Sequence, residues 1–133
     1  MIKLVIPGEP VAKGRPRVTK WGTYTPEKTK NYETLVKELF FIEHGQPLLE
    51  GPLSMRVQAY FTIPKSTSKK RKELMKSGEI RPTKRPDLDN ILKIIGDALN
   101  EVAYKDDKQI ISASIEKFYS DEPRLEVEIK EAV

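Results

Sequence analysis

Five carboxylates stand close to the most basic part of the chain. Asp87 and Asp89 lie two residues apart in Lys84-Arg85-Pro86-Asp87-Leu88-Asp89-Asn90, Lys93 follows four residues after Asp89, and Asp97 continues that spacing. Asp106 and Asp107 come next, in Tyr104-Lys105-Asp106-Asp107-Lys108-Gln109. An extended backbone across Asp87 to Asp89 turns both side chains to one side, and a helix starting there carries Lys93 on the same face as Asp89. If the fold returns the later turn to the helix start, Asp107, or its neighbour Asp106, joins the first pair. Converging carboxylates repel by about 4 kcal/mol per pair at 4 Å and an effective dielectric near 20, and a cation removes that penalty. Oxygen-only ligands select hard ions, so Mg²⁺ is favoured over zinc, and Mn²⁺ can substitute. Beside a phosphodiester such an ion polarises a non-bridging oxygen and readies a water for in-line attack, while Lys93 can offset the charge that builds in the transition state. The chemistry these residues suit is metal-dependent phosphodiester hydrolysis.

Taken singly, each residue has an ordinary reading. Asp87 or Asp89 at a helix start can be a cap or a partner of the helix dipole. Asp89 with Lys93 is an i,i+4 pair contributing a few tenths of a kcal/mol. Asp97 is read as an ordinary helix residue, and Asp106-Asp107 before a strand can be a turn. A calcium loop of the EF-hand type is excluded, because Ile91 and Leu92 stand where a ligand and a glycine are required.

The charge distribution points to a polyanionic partner. Residues 10–30 carry a net +5 and residues 65–85 a net +7, so the remainder of a chain of +4 overall is at −8. Basic groups that neutralise phosphates release counterions and gain affinity in proportion to their number. The candidate contacts are Lys13, Arg15, Arg17 and Lys20 in the first segment and Lys69, Lys70, Arg71, Lys72, Lys84 and Arg85 in the second. Either segment alone could be a solvated surface. With no cysteine and a single histidine, His44, the chain has no thiolate zinc site, cysteine nucleophile or multi-histidine centre. No apolar run approaches the roughly 20 residues of a membrane span and no secretory signal is evident, so the expectation is a cytoplasmic protein with no membrane partner and no organic cofactor.

At 133 residues the chain is expected to be one domain, 1–133. Ile2 to Ile6 reads as a strand stopped by Pro7-Gly8, and Pro10 to Thr23 reads as a loop. Thr25 as cap and Pro26 at the first helical position start a helix to His44-Gly45, with Tyr32, Leu35, Val36, Leu39 and Phe40 on its core face. Leu53 to Phe61 alternates as a half-buried strand. Ser66 or Ser68 can cap a short basic helix from about Lys69 to Lys76, stopped by Gly78, which has only Leu74 and Met75 to bury and is expected to gain order from an anion. The next helix is expected from about Asp89 to Ala103, with Asp89, Lys93, Asp97 and Asn100 as its polar stripe. Two strands close the chain, the first alternating Ile111, Ala113 and Ile115 and the second Leu125, Val127 and Ile129. They are expected to be antiparallel about an Asp121-Glu122-Pro123 turn. The fold class is α/β (α+β) with a mixed sheet packed against helices.

The run Arg85-Pro86-Asp87-Leu88-Asp89-Asn90 with Lys93, then Asp97-Ala98-Leu99 and Asp106-Asp107-Lys108-Gln109-Ile110, resembles the RusA family of Holliday junction resolvases. Lys13-Gly14-Arg15-Pro16-Arg17 and Tyr24-Thr25-Pro26 extend the resemblance over nearly the whole chain. The resemblance implies a small homodimeric Mg²⁺-dependent endonuclease, frequent in phages and prophages, that cuts four-way DNA junctions by paired symmetric incisions in recombination and repair. It puts the essential aspartates on Asp87, Asp89 and Asp107 and the essential lysine on Lys93, with Asp106 as a possible further metal ligand. Phe40 and Phe41 are candidates for the dimer surface, with packing inside the monomer as the alternative. A noncatalytic DNA-binding accessory protein for recombination, and a nuclease for other branched DNA or RNA, remain open alternatives.

Overall fold

A computed structural model describes residues 1–11, 17–24 and 27–132. The elements in order are β1 (Ile2–Pro7), β2 (Arg17–Thr19), β3 (Gly22–Tyr24), α1 (Glu27–His44), β4 (Leu53–Thr62), α2 (Lys69–Ser77), α3 (Leu88–Ala98), a 3₁₀ turn (Asp107–Gln109), β5 (Ile110–Ser120) and β6 (Arg124–Glu131). Four strands form a mixed sheet in the order β1-β6-β4-β5, so the chain is a single small α+β domain. Strict alternation gives β4, an inner strand between β6 and β5, one buried face. Leu53, Met55, Val57, Ala59 and Phe61 are buried, beside Leu125, Val127 and Ile129 of β6 and Leu4 and Ile6 of β1. Tyr32, Val36 and Phe40 of α1 and Ile91, Ile94, Ile95 and Ala98 of α3 complete the same core. No helix of the described residues is long and apolar enough to cross a membrane.

Several expectations change. The stretch from Pro10 to Thr23, read as a loop, contains the antiparallel β2–β3 hairpin. The caps Thr25 and Pro26 lie outside the described residues. On α1, Leu35 stays 36% exposed whereas Phe40 is fully buried, so Phe40 belongs to the core and Phe41, 59% exposed, to the surface.

The closing strands run in opposite directions but do not pair, because β4 lies between them, parallel to β5 and antiparallel to β6. Two strand spacings are roughly 9.6 Å. The connection from Ser120 to Arg124 has the reach to cross the end of β4, where Thr62 faces Ser120 and Tyr60 faces Arg124. That placement leaves β5 at the sheet edge. A register shift at Leu53/Ser54 leaves Ile111 without a partner, 66% exposed, and Ala113 is exposed too. Of the expected alternating trio only Ile115 packs on the core.

The basic helix α2 forms within a residue of the bounds read for it, already ordered against the sheet where the sequence suggested that an anion would order it. Ser68 caps it by accepting a hydrogen bond from the Arg71 N–H, and Gly78 ends it at φ +88°, donating to Leu74 and Met75. It docks on β5 with Met75 buried. α3 stops at Ala98, five residues short of the expected end. The chain then turns back through Glu101 at φ +63°. The reversal is held by the buried Tyr104 hydroxyl, which donates to Gly96 O at 2.9 Å, one of the carbonyls that a helix end leaves without a backbone donor.

Candidate active site

α3 is the element that organises the site. Asp87 is its N-cap residue, in extended conformation, and its carbonyl accepts the first helical bond from Ile91 N at 3.1 Å. Its carboxylate makes no capping hydrogen bond. The ordinary reading of Asp87 as a side-chain cap therefore fails, and an exposed carboxylate is left over. Pro86, preceded by a cis peptide bond, is buried and anchors the approach to the helix. Asp89, exposed in the first turn, lies where the helix dipole favours negative charge. One turn on, the Lys93 ammonium stands 3.8 Å from the Asp97 carboxylate.

The second carboxylate group reaches α3 from the turn before β5. Asp107 N donates to Asn100 Oδ1 at 2.8 Å, and the Asp107 carboxylate lies against Gly96. A Cβ built on Gly96 would stand 3.4 Å from Asp107 Oδ2, at the edge of van der Waals contact. A glycine at this buried helix position thus keeps the surface low where the carboxylate rests.

Asp106 has a structural task. Its Oδ1 accepts from Lys108 N at 2.9 Å, and Gln109 Oε1 accepts from Lys105 N at 3.0 Å and Asp106 N at 3.2 Å, a capping box closing the 3₁₀ turn. Gln109 Nε2 donates to Leu49 O and Gly51 O at 2.8 and 3.1 Å, tying the turn to the chain before β4.

The electrostatics follow from this crowding. Burial pushes the Asp107 carboxyl above the usual carboxylate range; a hydrogen bond shared with Asp106 and the charges of Asp97 and Asp106 add to the shift, and Lys93 opposes it. Asp106 moves the other way, held down first by the Lys108 N–H and then by the bond with Asp107. Burial also pushes the Tyr104 phenol up, with further contributions from Asp107, Asp97 and Asp106. Three like charges near one ammonium leave an excess of negative charge at this end of α3, which a nearby cation would offset.

Not all the expected residues meet. The structure joins Asp107 with Asp97, Asp106 and Lys93, and leaves Asp87 and Asp89 towards the other end of the same helix. At 1.5 Å per residue, Gly96 is about 10 Å along the axis from Asp89 and about 14 Å from Asp87. Among the described residues no three Asp, Glu, His or Cys side chains are close enough to share one metal ion. Asp97, read as ordinary from the sequence, is the carboxylate that does reach the Lys93 and Asp107 group. Asn100 and Tyr104 were not visible as site residues, because their partners come from the far side of a reversal that periodicity does not show. A glycine inside an apolar helix pattern was the one available signal.

The expected phosphate contacts divide. Lys13 and Arg15 lie outside the described residues, and Arg17 begins β2. Lys20 is exposed, its ammonium 5.2 Å from the Trp21 ring centre, and Trp21 is itself 87% exposed. On α2, Lys69, Lys70 and Arg71 face solvent, whereas Lys72 is half-buried and Lys76 pairs with Asp121 at 2.8 Å. Lys84 and Arg85 are exposed. His44 Nε2 lies 2.8 Å from Lys3 O, a structural tie between α1 and β1.

Comparison with known proteins bears on the family of the chain. A protein of Bacillus subtilis (strain 168), described as "Uncharacterized protein YqaN", is 43% identical over 136 residues, covering 98% of this chain and 96% of that one. The profile of the family described as "Endodeoxyribonuclease RusA" matches residues 7–130, which include α3, the 3₁₀ turn, β4, β5 and all but the last residue of β6. The chain belongs to the RusA endodeoxyribonuclease family.

Proposed function

We propose that this protein is a Mg²⁺-dependent endonuclease that cuts four-way DNA junctions, working as a homodimer that makes paired symmetric incisions. The observation that carries the reading is the exposed face of α3, where Lys93 lies between the Asp87-Asp89 pair and the Asp97-Asp107 pair, inside a chain of the RusA family. Asp87, Asp89 and Asp107 are the proposed metal ligands, with Asp97 added by its position; as they stand they form two groups apart along α3, so the reading requires binding of metal and DNA to draw them together. A bound Mg²⁺ supplies polarisation of the phosphodiester and a water of lowered pKa. Lys93 supplies a fixed positive charge for the phosphorane or leaving oxygen. Asp97 holds that ammonium near Asp107, and Asn100 holds the Asp107 backbone. Lys69, Lys70 and Arg71 on α2, with Lys84 and Arg85 just before Asp87, fit contacts to phosphates, which fix position without reading sequence.

A dimer suits a symmetric junction, because a two-fold axis sets one site on each of two opposed strands. Phe41 and Ile42, 59% and 79% exposed on the outer face of α1, support a self-association surface there. The test is nicking of a synthetic four-way junction by purified protein in Mg²⁺, beside flap, fork, duplex and RNA substrates and the Asp107→Asn variant. Junction cutting by the parent chain and junction binding without cutting by the variant are expected. Binding without cleavage in Mg²⁺ or Mn²⁺ would instead indicate an accessory DNA-binding protein, and undiminished cutting by the variant would remove Asp107 from the site.

A further inference from the structure

The segment between α2 and α3, residues 78–87, delivers Asp87 and Asp89 to their positions, and it is not fastened by burial alone. Pro82 and Pro86 are its buried residues. Its first residues are tied back to α2, where Glu79 N and Ile80 N both donate to Leu74 O, at 3.0 and 3.1 Å, and beyond them the polar ties run mainly to one strand, β5. Arg81 Nη1 donates to Glu116 Oε2 at 3.0 Å, while Arg81 Nε donates to Gly78 O at 3.2 Å. The Arg81 guanidinium lies 4.2 Å from the centre of the Phe118 ring, and Phe118 stacks on Tyr60 of β4 at 5.3 Å. Next along the strand, the Lys117 ammonium donates to Lys84 O at 2.7 Å and sits 5.6 Å from the Phe61 ring centre, with the Lys84 ammonium 5.7 Å from the same ring. Glu116 and Lys117, adjacent on an edge strand, thus hold the incoming segment at two points, three and six residues before Asp87.

We propose that Arg81 and Lys117 are positioning residues: through Glu116, Phe118 and the Lys84 carbonyl they clamp the segment leading into α3 onto β5 and so fix the Asp87-Asp89 carboxylates. This rests on the proposed nuclease reading for its effect on cutting, but the clamp itself does not. Two features distinguish it from an ordinary surface ion pair. The guanidinium is fixed on several sides, by a carboxylate, a carbonyl and an aromatic face, which limits the entropy lost on pairing. The Lys117 bond reaches a backbone carbonyl, so it sets the path of the main chain and not only of a side chain. Arg81 and Glu116 remain 43% and 50% exposed, so their pair adds little to global stability. The clamp acts on local order. It also gives part of the basic segment a different task, since Arg81 and Lys76 are engaged with Glu116 and Asp121, unlike the solvent-facing Lys69, Lys70 and Arg71.

Two substitutions of opposite charge separate a clamp from a direct DNA contact. Arg81→Ala removes a positive charge and Glu116→Gln removes a negative one, so a DNA contact by Arg81 predicts opposite effects on junction affinity and cutting. A clamp predicts the same effect from both. The experiment is amide hydrogen exchange across residues 78–92 in the parent chain, Arg81→Ala, Glu116→Gln, Lys117→Met and Arg81→Lys, together with junction affinity, nicking rate at saturating DNA and its Mg²⁺ dependence. Exchange in that segment is expected to rise about tenfold in the first three variants, as for loss of a hydrogen bond to a charged group. The segment's exchange should stay closer to the parent in Arg81→Lys, with the rest of the fold unchanged in all four. Nicking at saturation is expected to fall about tenfold or more in the first three, with a higher Mg²⁺ requirement and junction affinity near that of the parent. Unchanged exchange in the segment overturns the clamp, whatever the activity. Raised exchange with unaltered nicking and Mg²⁺ dependence overturns its positioning role. A parent chain that cuts no junction refutes the nuclease reading and leaves the clamp to be judged by exchange alone.

Discussion

Replacing Asn100 by alanine tests how the second carboxylate group is held. Asn100 Oδ1 accepts the Asp107 N–H at 2.8 Å in a partly buried setting, and this bond fixes the first residue of the 3₁₀ turn to the end of α3. Alanine removes the acceptor and leaves a backbone donor with poor access to water. A neutral hydrogen bond contributes about 0.5–1.5 kcal/mol net, and an unpaired donor in such a place costs about 1–3 kcal/mol, so a loss of about 1–2 kcal/mol is expected. With an unfolding entropy of about 2.1 cal/mol/K per residue, a chain of 133 residues should lose about 4–7 °C in Tm. Function should suffer more than stability, because a displacement of about 1 Å at a reacting group can cost roughly a hundredfold in rate. Asn100→Asp is the informative companion. It keeps the oxygen acceptor, so Tm should fall less, but it adds a negative charge beside Asp107 and should push that carboxyl further up. Thermal unfolding and junction nicking in Mg²⁺ at several pH values measure both. An alanine variant with Tm within about 1 °C of the parent and unchanged nicking would show that Asn100 does not hold Asp107.

Tyr104→Phe deletes only the hydroxyl on Gly96 O, in a fully buried position. Leaving that carbonyl without its donor should cost about 1–3 kcal/mol, read as a lowered denaturant midpoint at constant slope. Asp107 tests the sign of its own electrostatics in chelator-treated protein. Its folded pKa is raised, so the stability associated with it is present at low pH and is lost as pH rises through that folded value. Asp107→Asn should therefore raise Tm at neutral pH and lose this advantage as pH approaches about 3.9, the unfolded carboxylate value. A variant less stable than the parent at neutral pH would contradict the crowding. Lys69→Ala with Lys70→Ala should flatten the dependence of log affinity on log salt by about 0.9 for each phosphate no longer neutralised, across all DNA sequences alike. An unaltered slope would take α2 out of the DNA surface.

The α+β class, the half-buried strand β4 and the bounds of α2 were legible in the sequence because each rests on a local cause: period-two alternation, a serine cap, a glycine that tolerates φ +88°. Asp89 and Lys93 could be read as one helix face for the same reason, since a helical offset is fixed within a few residues, whereas the extended Asp87 to Asp89 pair did not hold because α3 already starts at Leu88. The insertion of β4 between β5 and β6 was not legible. A three-residue turn between apolar strands satisfies a hairpin as well as a crossing, and only the crossing gives β4, with its five buried side chains, partners in β5 and β6 on its two edges. The site divides along the same line. The sequence by itself supplied the candidates for the proposed chemistry, through residue types and, for Asp89 and Lys93, a spacing that any fold of this helix would preserve. Only the tertiary structure decided that the turn before β5 meets α3 at Gly96 and not at its start. That choice joins Asp107 to Asp97 and Lys93, because the early end of α3, the reversal at Glu101 and the Tyr104 hydroxyl together fix where the returning chain can lie.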